Sequence, residues 1–369
     1  MRDRLKLLLV FFSLVCVTAG LAQTPPSAPA TQPTTGEITL DVVVTPKSGP
    51  PVSGLQQQDF TITENKVPQT ITAFQAFRGR EAPVDVILVI DDVNTGIEHV
   101  AYERSEIDKF LKLDGGHLSN PMSLAFVTDS GIKLQEGFTS DGNSLVAALD
   151  QYTLNLHTIL RSGGIYSAEE RLDISMKSIF GLATHEAARP GRKLIIWLSP
   201  GWPLLSGPGV QEQIDNKQQQ QIFNDVVLLS NLMRQGRITL YSIDPLGAAD
   251  FGTRAFWWQE FTKGIDKPSQ AEWGNLALQV LAVQSGGLAL TTGNDITAYL
   301  QQCVADAQAY YQISFIPSLE QKKNEAYHRI EVRVDKGGTT VRTRQGYYDQ
   351  SVSPSSGTPA KVPSYAPMH

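Results

Sequence analysis

The apolar run VDVILVI, Val84 to Ile90, ends abruptly at Asp91, Asp92, Val93, Asn94, Thr95 and Gly96. Oxygen-bearing side chains in this density beyond a strand's carboxyl end suit two jobs. They can reach a ligand, or they can hydrogen-bond the loop's own amides and cap the next helix. Asp129 and Asp244-Pro245 also end predicted strands and add carboxylates to the same rim, where they either attract Ca²⁺ weakly or shape turns. Catalytic patterns are weak by comparison. The chain has no Gly-x-Ser-x-Gly elbow, Walker loop or Gly-x-Gly-x-x-Gly turn, and His185-Glu186 lacks the second histidine a zinc helix needs. Its six histidines are scattered, so the sequence predicts a protein that is not an enzyme.

The elements that position the acidic loop follow from apolar periodicity. Buried strands at Val84–Ile90, Met122–Val127, Leu194–Leu198 and Ile238–Ile243 alternate with helical stretches such as AYERSEIDKFLKL and RLDISMKSIFGLATHEA. That rhythm predicts an α/β unit over residues 81–308, a doubly wound and mostly parallel sheet covered on both faces. Ligands of such sheets sit beyond the carboxyl ends of the strands, where Asp91 lies. Residues 37–80 and 309–349 instead show two-residue alternation, for example Ile38, Leu40, Val42 and Val44, then Ile330, Val332 and Val334. A lone hairpin is marginal in water, so the two segments are expected to pack together as one small antiparallel β domain. The DKGG turn is expected to close a hairpin within it.

At the N-terminus, Arg2, Arg4 and Lys6 precede an apolar stretch from Leu7 to Val17 and small residues near Ala22. This predicts a signal peptide over residues 1–22 and a secreted or periplasmic location. Residues 23–36 and 350–369, rich in Pro, Ser and Thr, read as a flexible linker and a disordered tail. Beyond residue 22 the chain holds 28 Lys and Arg against 36 Asp and Glu, without a basic tract. That balance argues against nucleic acid or an anionic membrane as partner. No later segment is apolar for long enough to span a membrane. Cys303 is then the single cysteine, expected to be a buried small hydrophobe on a helix.

Several phrases in fixed order, LQQQDFTITENKVPQTITAF, VDVILVIDDVNTG, ITLYSIDP, LALQVLAVQSGGLALTTGNDI, DAQAYYQISFIP and VRTRQGYY, resemble the acidobacterial von Willebrand factor A-related family of secreted proteins. The resemblance spans nearly the whole chain beyond residue 22. It implies a von Willebrand factor A-type fold, in which a metal-ion-dependent adhesion site often holds Mg²⁺ through an Asp-x-Ser-x-Ser loop, a threonine and a further aspartate. Asp91 matches the leading aspartate and Thr95 the second serine. Val93 falls on the first serine, Ile165 on or near the threonine, and Ser199-Pro200 where the further aspartate is expected. The implied site is therefore degenerate, with Asp92, Asn94 and Ser199 as substitute ligands and Mg²⁺ as the one cofactor in view.

A second candidate surface lies in the segment after YSIDP, which clusters Phe251, Phe256, Trp257, Trp258, Phe261 and Trp273. Aromatic side chains dominate interface hot spots. Phe256, Trp257, Trp258 and Trp273 are thus either partner contacts or the segment's own small core. The combined expectation is an exported, non-enzymatic module that recognises a protein or surface ligand through the loops at the carboxyl edge of the sheet. A structural component of the cell envelope is the alternative, and a hydrolase the remaining one.

Overall fold

The computed structural model describes residues 36–79, 84–152, 164–204, 206–207, 210–211, 214–247, 256–317 and 326–349. The predicted signal peptide, nearly all of the linker, the tail, Phe251 and the Ile165 side chain lie outside the described residues.

Strands β1 (Ile38–Pro46), β2 (Phe60–Glu64), β3 (Val67–Gln69) and β4 (Ile71–Arg78) lead into the central strand β5 (Val84–Asp91). There follow β6 (His117–Thr128), β7 (Gly131–Leu134), β8 (Thr139–Asp141), β9 (Arg192–Leu198), the short pair β10 (Ser206–Gly207) and β11 (Val210–Gln211), β12 (Ile238–Ile243) and β13 (Ala289–Leu290). Four more strands follow among the described residues: β14 (Ala309–Phe315), β15 (Tyr327–Val334), β16 (Thr339–Arg342) and β17 (Gly346–Tyr348). Helices α1 (Ile97–Leu111), α2 (Gly142–Gln151), α3 (Gly164–Ala187), α4 (Asn216–Gln235), α5 (Leu278–Gln284) and α6 (Ile296–Ala305) fall between the strands of the central region.

The central sheet runs β13-β12-β9-β5-β6-β7, with β8 also on β6. It is parallel from β13 through β6, while β7 and β8 pair with β6 antiparallel. Strand β5 is buried along nearly its whole length because helices cover both faces. Ile87 and Val89 point into a core shared with α3, α4 and α5; Val86, Leu88 and Ile90 point into one shared with α1, α2 and α6. The chain is thus a mixed α/β protein with a mostly parallel central sheet and separate antiparallel sheets. Tight crossovers hold the layers together. A side chain at Gly287 would stand 1.8 Å from the Leu240 carbonyl oxygen, so only glycine lets the α5-to-β13 connection lie against β12.

The terminal strands form two four-stranded sheets, β16-β1-β14-β4 and β17-β15-β2-β3, each mixing N-terminal with C-terminal strands. Leu40, Val42, Ile62, Tyr311, Ile313, Ile330 and Val332 interdigitate between them. Adjacent tyrosines on β14 show how the first sheet serves two cores: Tyr311 faces this sandwich and Tyr310 faces the α/β unit. The expected DKGG hairpin is corrected here. Strand β15 pairs with β2 and β17, whereas β16 crosses to the other sheet and pairs with β1. The turn is a corner between sheets, made possible by Gly338 at φ 75°. Val334 and Val341 both reach the sandwich core from either side of that corner, and this packing outweighs the local hairpin signal.

Candidate functional site

The loop after β5 separates its side chains onto the two faces of the central sheet. Asp91, still in the strand and fully buried, points toward α3 and β9. Its Oδ1 accepts from the Asn94 backbone N–H (3.0 Å) and the Asn94 amide (3.2 Å). Its Oδ2 accepts from the same amide (2.9 Å) and from the Trp197 indole N–H (3.1 Å). The Asn94 amide also donates to Ser175 Oγ (2.9 Å), which in turn donates to the Arg171 carbonyl (2.8 Å). One carboxylate therefore ties the loop to a neighbouring strand and to the middle of α3. Burial raises the Asp91 pKa, and the donors from Asn94, Trp197 and Ser199 oppose that rise by favouring the charged form. Helix α1 begins after Gly96 without a side-chain cap, so Asp91 serves the loop amides and not the helix.

Across the sheet, Asp92, Thr95 and Glu103 form a different setting. Glu103 sits on α1 in the buried stripe Val100, Glu103, Ile107 and Phe110, is 1 % exposed, and neither of its carboxyl oxygens accepts a hydrogen bond. Burial pushes its pKa well up, the negative charges of Asp92 and Asp91 push it further, and the nearby Thr95 hydroxyl only partly offsets them. That hydroxyl is itself buried and does not meet hydrogen-bonding geometry. Tyr152 closes this side, stacked on Phe126 with ring centroids 3.7 Å apart, its pKa raised by burial and then by Asp92.

Of the expected ligands, the fold thus brings Asp91, Asn94 and Ser199 together on one face and Asp92 and Thr95 on the other. The residues around Asp91 do not fit Mg²⁺. The ion requires open oxygens, while both Asp91 oxygens are already met by N–H donors and Val93 is buried and apolar. Ser199 Oγ accepts from the Gly201 N–H (3.2 Å), and Asp244 Oδ1 from the Leu246 N–H (2.8 Å), both in turns. Among the described residues no group of three or more His, Cys, Asp or Glu is arranged to hold a metal ion.

The aromatic segment is corrected in part. Trp258 and Trp273 are buried, at 8 % and 4 % exposure, so neither can meet a partner. Trp258 packs with Ala277 and Val280 in a satellite core, onto which the half-buried Trp257 and Phe261 fold with centroids 5.7 Å apart. Phe256 alone of the four stands largely exposed, at 46 %. The driving force is area, since a tryptophan finding apolar neighbours removes far more surface from water than one left on a rim.

Sequence reasoning missed Glu103, Trp197, Ser175 and Tyr102. Glu103 had a legible signal, an acid placed in the i, i+3, i+7 stripe of its own helix. Tyr102 is 44 % exposed on α1, and its hydroxyl donates to the Asn294 carbonyl (2.6 Å) in the connection between β13 and α6. Trp197 and Ser175 had no local signal, because their roles depend on contact with Asp91 across 106 positions of chain and with Asn94 across 81.

No protein-family model matches the chain, and no curated protein does. Several solved structures match over part of their length. Proximal thread matrix protein 1 from the mussel byssus matches with a TM-score of 0.36 and 12 % identity, over 66 % of this chain and 51 % of that one. The PilB minor pilin from Streptococcus sanguinis matches at 0.32 and 11 %, over 62 % of each chain. The SpRpn10 VWA domain matches at 0.28 and 13 %, over 59 % of this chain and 95 % of that one. The chain thus spans between half and two thirds of the length of the first two.

Proposed function

We propose that this chain is an exported, non-enzymatic recognition module of von Willebrand factor A type, which binds a protein or surface ligand with the loops at the carboxyl edge of its parallel sheet. In this reading Asp91 carries no ion and serves as an internal tie. The carrying observation is the pairing of a locked loop with an exposed aromatic on the element that leaves it. The Asp91–Asn94–Trp197–Ser175 network fixes the start of α1, and Tyr102 on that helix presents a ring at 44 % exposure while its hydroxyl anchors the Asn294 loop. A rigid aromatic beside fixed loops gives up little conformational entropy on binding. Phe256, in the connection leaving β12, extends the exposed apolar surface.

A cell-envelope scaffold is the second reading, favoured by one feature. Among the described residues strand β4 ends its sheet with an unpaired edge, on which Thr72, Ala73, Gln75 and Ala76 are exposed, and such an edge accepts another strand. Photo-crosslinking residues placed singly at Tyr102 and at Gln75, in the producing cell, separate the two. Adducts to one polypeptide or surface polymer from position 102, unchanged by chelator, support recognition at the loop edge. Adducts from position 75 alone would replace it with the scaffold reading.

A further inference from the structure

The seam between the last turns of α4 and the segment Thr343–Gln345 carries two arginines, Arg234 and Arg344. Arg344 is 8 % exposed, and its side chain donates to the Ser230 carbonyl of α4 (3.4 Å). Its segment is clamped from the other side, where the Gln345 N–H donates to the Gln284 carbonyl (3.1 Å). A side chain on Gly286 would stand 2.6 Å from the Thr343 backbone, so the clamp is close. Arg234 lies on α4 one turn after Ser230 and on the same helical face, part-exposed, with a buried Nε that has no hydrogen-bond partner among the described residues. Burial lowers the Arg344 pKa to about 10, with the Arg234 charge as the next cause, and burial lowers that of Arg234 as well.

Neighbouring arginines show what is missing. Arg342 makes a two-pronged pair with Asp306, at 2.6 Å on each prong, and Arg237 one with Asp41 at 3.2 and 2.5 Å. Asp41, the carboxylate that bears on Arg344, is thereby engaged elsewhere. Neither Arg234 nor Arg344 has an ion pair among the described residues. Arginine does not shed its proton in proteins, so guanidiniums drawn out of water near each other gain from a negative group that joins them. Further unclaimed polar groups border the seam. The Asn231 side chain, one turn before Arg234 on the same helical face, is buried with both polar atoms unpartnered, as is the Thr343 hydroxyl.

We propose that this seam is a binding seat for an oxyanion, a phosphate, sulfate or carboxylate group, gripped by the guanidiniums of Arg234 and Arg344. The part-exposed Arg234 forms the solvent side of the seat and the buried Arg344 its floor. Planar guanidiniums suit this ligand class because each can offer two parallel N–H donors to one oxyanion. Binding here would fasten the C-terminal strands to α4 at a point far along the chain from the Asp91 loop.

Titration calorimetry and thermal melting of the purified full chain test the proposal, with sodium phosphate, sodium sulfate and sodium acetate as probes against sodium chloride at equal ionic strength. A saturable heat and a melting temperature that climbs with phosphate or sulfate but not acetate place a tetrahedral anion in the seat; a response to acetate places a carboxylate there. In Arg234→Gln the affinity is expected to fall about tenfold or more, the loss of one charge-assisted contact. The same variant in chloride should melt no lower than wild type, because it relieves like-charge repulsion, so lost binding is distinguishable from lost folding. Arg344→Lys provides a second reading, in which charge is kept and the two-pronged grip is lost. No response of the wild type to any of the three anions beyond chloride, or an undiminished response in Arg234→Gln, would overturn the assignment.

Discussion

Asp91 and Glu103 lie twelve positions apart, are both buried, and sit on opposite faces of the same sheet, yet the fold treats them in opposite ways. Asp91 receives N–H donors from a loop amide, a side-chain amide and an indole, while Glu103 receives none. The difference shows that the cost of a buried carboxyl depends on the donors the surrounding elements can aim at it. Beside Asp91 stand a strand with an indole and a loop with a free amide. Glu103 meets the aliphatic stripe of its own helix and two more acids.

The sharpest way to break the comparison is Asp91→Ala. It strands the Trp197 indole and the Asn94 N–H groups inside the protein, and urea unfolding should show a loss of about 3 kcal/mol or more. Asn94→Ala removes the donor common to both Asp91 oxygens but leaves the indole in place, so a smaller loss of about 2 kcal/mol is expected. Should Asp91→Ala prove nearly neutral, the carboxylate is no tie.

Glu103→Gln moves the other way, gaining about 1 kcal/mol at pH 7, since it removes a charge that burial disfavours. Its pH dependence sharpens the point. The folded pKa of Glu103 lies above the unfolded one, so the folded state binds the extra proton. The wild type should then keep this group's full contribution below the unfolded pKa, near 4.5, and lose stability as pH rises from there toward the folded value. Denaturant midpoints of wild type and variant measured from pH 4 to 8 should diverge in that direction, and parallel curves would show that Glu103 is not desolvated. The smallest effect belongs to Thr95→Val. Its hydroxyl makes no hydrogen bond of good geometry and only partly offsets the rise at Glu103, so the change should stay within about 0.5 kcal/mol.

Much of the α/β core was legible. Ile238–Ile243 was read from its apolar run with the bounds the fold gives it, and the reading of Val84–Ile90 stopped one residue short. Leu194–Leu198 lost its first two residues, because Arg192 and Lys193 look like loop residues in a sequence but are buried in the strand. Lys193 stays buried by donating to the Arg189 and Gly236 carbonyls, and no local pattern announces that. The acidic loop was legible as a place but not as a chemistry, since Asn94 could equally have been a ligand or a donor to its neighbour. The aromatic segment erred toward the surface, because clustered tryptophans look the same in sequence whether they meet a partner or each other.

By itself the sequence determined the alternation of strands and helices, the charge balance and the acidic turn after the first buried strand, all of which follow from periodicity and local residue type. Only the tertiary structure decided that β16 leaves β15 for β1, that Asp91 is closed off by Trp197 and Asn94, and that Arg344 is buried against the Ser230 carbonyl of α4. Each of these joins residues far apart in the chain. Short-range pattern fixes which side chains must leave water, whereas long-range packing fixes which partners they find there.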